Sequence, residues 1–155
     1  MKFQITRPSA ARHVSFKFAS TAPRGLAMGA HATDDEYCIA ATGTNFIGFV
    51  TRPVTADGDV LENHVYPGRI ESDFKSGYEV TLEKADEVEA AGTDHLVTSG
   101  TGAIADDTAV GTEVSFYSGK FRQKQAGEIG YFTISAHLGD DDDGDFIVRL
   151  EKVGP

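Results

Sequence analysis

Tryptophan is absent from this chain, and cysteine occurs once, at Cys38. A single cysteine excludes an internal disulfide and any multi-cysteine metal site. Within Tyr37-Cys38-Ile39-Ala40 it reads as a small buried hydrophobe. No run approaches the ~18 consecutive apolar residues of a membrane-spanning helix, and the N-terminal segment lacks the apolar centre of a secretory signal. There is no Gly-x-Ser-x-Gly elbow, and no catalytic context surrounds Cys38. A triad assembled from distant parts of the chain would leave no such motif. The expectation is nonetheless a chain that is not an enzyme, with no cofactor and no dedicated metal.

Acidic residues are missing from one region. Residues 1–30 contain Lys2, Arg7, Arg12, Lys17 and Arg24 but no Asp or Glu. Residues 31–155 hold the other nine Lys and Arg against all 24 Asp and Glu, and the net charge is −10. This divides the chain into a basic N-terminal arm, 1–30, and an acidic β-rich domain, 31–155. The domain repels nucleic acid, whereas the arm is drawn to acidic surfaces, including a neighbouring copy. An acid-free, faintly amphipathic segment also has the look of a mitochondrial transit peptide. Val14, Phe16 and Phe18 suit instead a strand pinned into the sheet or onto a partner.

What the chain has in quantity is two-residue alternation, with ten Phe, five Tyr and 17 Gly among 155 residues. That length suits one domain with a real core. Val14–Phe18, Tyr78–Glu83 and Glu113–Tyr117 each alternate apolar with polar residues, the mark of a half-buried strand. Ser118-Gly119 before Lys120-Phe121-Arg122 predicts a tight hairpin. Phe132, Ile134, Ala136 and Leu138 are expected on one face of a long strand, with Phe146, Val148 and Leu150 on its partner. Shorter strands are expected at Glu36–Ala41, Phe46–Arg52, Val65–Glu71 and His95–Thr98. Leu82–Ala91 is rich in helix formers, so a short helix stays open there. The frequent turn signals predict a mostly β fold, a compact antiparallel β-sandwich or small barrel with an extended N-terminal arm; a β-tulip-like arrangement also stays open.

Four clusters could carry chemistry. Gly100-Thr101-Gly102-Ala103-Ile104-Ala105 matches Gly-x-Gly-x-x-Ala, but Asp106-Asp107 follow where a pyrophosphate would lie, so it reads as a turn. His13, His31, His64, His95 and His137 have no metal-ligand spacing. Asp140–Asp145 offers the carboxylates that hard cations favour. Counted back from Gly144, however, an EF-hand register puts Gly139 first and Leu150 twelfth. A solvated hairpin tip is the plainer reading; calcium or a basic partner surface are the others. Lys120-Phe121-Arg122-Gln123-Lys124 interleaves cations with an aromatic, but within an acidic body it reads as an interface strand or a solvated edge.

The order of Asn45–Thr51, Glu79–Glu83, Asp94–Ile104, Ala109–Thr112 and Ser118–Arg122 resembles the head-decoration, or capsid cement, proteins of tailed bacteriophages. The likeness covers about two-thirds of the chain, and its motifs are turns and strands rather than a catalytic signature. It implies a structural virion protein on the outer capsid surface, made in the host cytoplasm. It further implies the major capsid protein as partner and a homo-oligomer, trimer before dimer, with no nucleic-acid or membrane partner. Such an arm would add a strand to a neighbour by β-augmentation. The candidate contacts are Phe3, Ile5, Arg7, Arg12, Val14, Phe16, Lys17, Phe18 and Arg24. The alternative is a carbohydrate-binding or adhesin-type β module using Tyr37, Tyr66, Tyr78, Tyr117 or Tyr131.

Overall fold

Alternating sequence becomes paired strand throughout the computed structural model, which describes residues 3–9, 14–18, 24–35, 37–50 and 78–154. The strands are β1 (Phe3–Pro8), β2 (Val14–Phe18), β3 (Ala27–Ala30), β4 (Cys38–Ala40), β5 (Phe46–Val50), β6 (Tyr78–Glu83), β7 (Ala85–Ala91), β8 (Glu113–Tyr117), β9 (Lys120–Gln123), β10 (Phe132–Asp140) and β11 (Phe146–Lys152). They form a six-stranded sheet, β1-β7-β11-β10-β8-β9, and a five-stranded sheet, β2-β6-β5-β3-β4. Every strand pair is antiparallel. The outermost strands of the second sheet, β2 and β4, approach one another, so that sheet curls toward a barrel. The fold is therefore mostly β and compact, with sandwich and barrel character combined.

Lys84 alone separates β6 from β7, so the chain turns a corner from one sheet to the other in one residue. Phenylalanines fill the space between the sheets. Phe49 of β5 lies 5.1 Å from Phe3, 5.7 Å from Phe121 and 5.9 Å from Phe132, ring centre to ring centre. Phe46 stacks on Phe116 at 4.4 Å. Each fully buried Phe contributes about 1.5–3 kcal/mol by leaving water, and tilted aromatic pairs add to this. Val88, Ile134, Val148 and Leu150 complete this core.

The residues of 1–30 that are described contribute β1 to the first sheet and β2 and β3 to the second. Leu82–Ala91 contains no helix: β6 ends at Glu83 and Ala85–Ala91 is β7. Pairing with β1 on one side and β11 on the other outweighs helix propensity, because it buries Val88, Ala90 and Ala91. Candidate strands at Glu36–Ala41 and Phe46–Arg52 are seen as Cys38–Ala40 and Phe46–Val50. His95–Thr98 is not a strand; it holds an isolated parallel bridge from Leu96 to Phe121. Val65–Glu71 lies outside the described residues.

The long β10 strand also departs from its expected pattern. Ile134 faces Leu150, but Ala136 then faces Arg149 and His137 faces Val148, so a β-bulge intervenes at Ser135. The Ser135 hydroxyl donates to the Arg149 carbonyl at 3.2 Å. The extra residue reverses the alternation, bringing His137 opposite buried Val148 and leaving Leu138 exposed. Ala136 and Leu138 therefore do not extend the buried face of Phe132 and Ile134. The β8–β9 hairpin does form as predicted, with Ser118 at φ 50° and Gly119 at φ 81°. Two consecutive positive φ values are what a two-residue type I′ turn requires.

Candidate functional site

β1 ends the six-stranded sheet and has one strand neighbour, β7, among the described residues. Its two faces differ. Phe3 is buried against Phe49 and the His95 ring, the latter at 5.4 Å, and Ile5 packs on the core. Gln4, Thr6, Arg7 and Pro8 are exposed. A register shift between Ile5 and Arg7 places Arg7 opposite Glu87. The Thr6 hydroxyl donates to Glu87 Oε1 at 2.8 Å. That bond holds the Glu87 carboxyl below its ordinary pKa; burial opposes it, and the charges of Arg149 and Arg7 with a hydrogen bond to Glu151 add to the lowering. Arg149 reaches Glu89 at 3.0 Å and Glu87 at 3.8 Å, so this outer face is a knit charge network.

β2 ends the other sheet, with Val14 opposite Leu82, Phe16 opposite Val80, Lys17 opposite Glu79 and Phe18 opposite Tyr78. Arg12 lies outside the described residues. Arg24 is exposed in the turn that leads through Gly25 into β3. The candidate contacts do not converge: Phe3, Ile5 and Arg7 belong to one sheet, and Val14–Phe18 to the other.

A second surface feature was not visible in the sequence. Where the sheets meet, a hollow of about 290 Å³ is lined by Phe46, Ile47, Ala85, Ile129, Tyr131 and Val153, with Lys84, Lys152 and Ser9 beside them. The Ser9 N–H donates to the Lys84 carbonyl at 3.1 Å, and the Val153 N–H to the Tyr131 carbonyl at 2.9 Å, which fixes its walls. Burial pushes the Tyr131 hydroxyl above its ordinary pKa, opposed by a hydrogen bond from the Phe46 backbone. Neither lysine ammonium meets a carboxylate among the described residues. Lys84 and Lys152 are far apart in sequence, and only the sheet order brings them together.

The backbone edge of the basic stretch 120–124 is covered, while Lys124 stays exposed. Val97 donates its N–H to the Phe121 carbonyl, and Phe121 donates to that of His95, both at 2.8 Å. The loop 95–104 thus covers β9. Arg122 pairs with Glu128 and stacks over the Tyr117 ring at 4.7 Å, while Lys124 meets Glu113 at 3.1 Å. Burial alone would raise the Glu128 pKa. Hydrogen bonds from Arg122, the Gln125 N–H and Ser115, with the Arg122 charge, bring it below the usual value instead.

At the β10–β11 tip, Asp141 Oδ1 accepts the N–H groups of Asp143 and Asp145 at 2.9 and 3.0 Å. This cinches the turn and gathers Asp141, Asp143 and Asp145 so that their carboxylate oxygens lie within 4.8 Å. Gly100 and Gly102 have φ of 81° and 75°, with no helix after them, as a turn requires. His31, His95 and His137 stand apart: the His31 Nδ1 accepts the Thr33 and Asp34 N–H groups, and His137 Nε2 lies 2.6 Å from the Thr108 carbonyl. His13 and His64 lie outside the described residues. The Cys38 thiol is buried, and burial pushes its pKa up to about 11 against a backbone hydrogen bond.

No protein-family model matches the chain, and a search of the curated proteins finds no match.

Proposed function

We propose that the chain is a structural protein that binds the outer surface of an assembled tailed-phage capsid and cements adjacent major capsid subunits. The single observation that carries this reading is β1, a sheet-ending strand with a buried face and a polar, cationic outer face. Phe3 anchors it in the core, so its backbone is held extended and ready to pair. β-augmentation asks for little more than that, because backbone groups supply the affinity. Arg7 and Arg24, exposed in an otherwise acidic protein, add attraction to acidic partner surfaces. The order of strand and turn motifs from Asn45 to Arg122 is the further support. Many symmetric copies would convert modest single contacts into firm attachment.

Deleting residues 1–30 is a poor test, because it removes β1, β2 and β3 from the two sheets. The test is co-sedimentation of the full-length chain with assembled heads of the encoding phage, wild type beside Arg7→Gln/Arg24→Gln. Stoichiometric, salt-weakened binding by the wild type and reduced occupancy by the variant are expected. A wild-type chain that leaves every head bare would sink the role.

A further inference from the structure

The hollow at the sheet junction has more specific chemistry than any other described surface. Ile129 and Val153 are 49% and 40% exposed at its mouth. Phe46, Ile47 and Tyr131 line it further in. Apolar groups left in water gain by being covered. Lys84 and Lys152 line the same hollow and meet no carboxylate among the described residues. Ammonium groups beside an apolar surface select a carboxylate carried next to an apolar group.

Size narrows the occupant. At about 290 Å³, the hollow falls at the bottom of the range of small-molecule pockets, roughly 300–1,000 Å³. It has room for one bulky side chain and lies open to solvent. A second copy of this chain fits poorly. Its exposed Leu138 and acidic tip lie at the opposite end of the β10–β11 hairpin from Lys152, so a self-contact through them would be head-to-tail and could not form a two-fold dimer.

We infer that this hollow docks a protein partner through a segment in which one bulky apolar side chain is flanked by Asp or Glu. The apolar side chain covers Ile129 and Val153, and the carboxylates meet Lys84 and Lys152. This deepens the reading of the chain as a binder of protein surfaces and rests on it. The walls are held by backbone hydrogen bonds from Ser9 and Val153, so the site is formed before the partner arrives.

The experiment titrates the full-length, nitrogen-15-labelled chain with a blocked Gly-Asp-Leu-Glu-Gly peptide and with its neutral counterpart, Gly-Asn-Leu-Gln-Gly. Amide shifts centred on Ile47, Ile129 and Val153 are expected. Affinity should fall roughly two- to fivefold with the neutral peptide, and by a similar factor for each of Lys84→Gln and Lys152→Gln. Equal affinity for both peptides, or shifts elsewhere, overturns the inference. So does decanoate occupying the hollow when neither peptide does, which would make it an amphiphile pocket. Concentration-dependent shifts of the same amides without peptide, with self-association in sedimentation, would assign it to a second copy and also overturn it. Head binding by Lys84→Gln/Lys152→Gln is scored separately. If the variant binds heads as the wild type does and the peptides fail, the docking site falls while the capsid reading stands. If the peptides bind as expected and the wild type leaves heads bare, the capsid reading falls instead.

Discussion

Gly25 stands so close to Phe3 that a Cβ on the glycine would lie 2.5 Å from Phe3 Cγ and 2.9 Å from His95 Cε1. The same glycine has φ of 84° and donates its N–H to the Val50 carbonyl at 2.9 Å. The turn before β3 is thereby wedged against β1, locking the two sheets together at the N-terminal end. Gly25→Ala must both adopt a left-handed backbone and displace an aromatic ring. The first costs about 1 kcal/mol and the second about 1–3 kcal/mol. A fall in thermal midpoint of roughly 4–16 °C is expected for a chain of this size. A midpoint within a degree or so of the wild type would mean that Phe3 is not seated in the core.

Gly119 carries a comparable constraint at the β8–β9 turn, where the neighbouring residue permits a contrast. A Cβ at Gly119 would lie 2.4 Å from Leu26 Cδ1 and 3.1 Å from the Ala27 carbonyl oxygen. Gly119→Ala should therefore destabilise by about 2–4 kcal/mol. Ser118 also has positive φ but is not glycine, and Asn tolerates that region better. Ser118→Asn should stabilise by a few tenths to about 1 kcal/mol. Urea unfolding of the two variants checks both signs, and a stabilised Gly119→Ala would contradict the packing.

The hairpin was legible in the sequence because its determinants are adjacent: alternating strands and Ser118-Gly119 between them. The bulge at Ser135 was not, since it depends on how β10 pairs with Arg149 and Val148 of β11. With the bulge invisible, Ala136 and Leu138 fell on the wrong face. Leu82–Ala91 stayed open for a related reason. Its Glu, Lys and Ala suit a helix, and only the flanking β1 and β11 decide for a strand. Phe3 and Ile5 could be singled out, but not the division of β1 into a core face and a solvent face. Lys84 and Lys152 line one hollow through sheet order alone, and no spacing rule would have joined them.

Glu128 makes stability depend on pH. Its folded pKa lies below the ordinary 4.5, so the unfolded chain binds the proton more tightly. The contribution is present above about 4.5 and is lost as pH falls through the lower folded value. Chemical unfolding of the wild type should show stability declining between about pH 5 and pH 3. Glu128→Gln should flatten part of that decline and lower stability at neutral pH, because Arg122 loses its charged partner. A variant with the same slope would remove Glu128 from the account.

Cys38 gives a chemical reading of how tightly the second sheet is closed. Its side chain is buried on β4, opposite Ala30 of β3, and its thiol pKa is pushed up to about 11. The thiolate is the reactive form, so burial suppresses reaction twice, by access and by ionisation. At neutral pH a thiol titrant should modify the native chain on the order of a hundredfold more slowly than the urea-unfolded chain, since each pKa unit removes about tenfold of thiolate. Met28→Ala removes a fully buried side chain on the strand beside it and leaves a cavity worth about 2–5 kcal/mol. Labelling should then accelerate in proportion to the stability lost, if opening of the fold exposes Cys38. Rapid labelling of the wild type, at the rate of the unfolded chain, would show that β4 frays independently of the core. The curl that brings β2 toward β4 would then lack the firm outer strand it depends on.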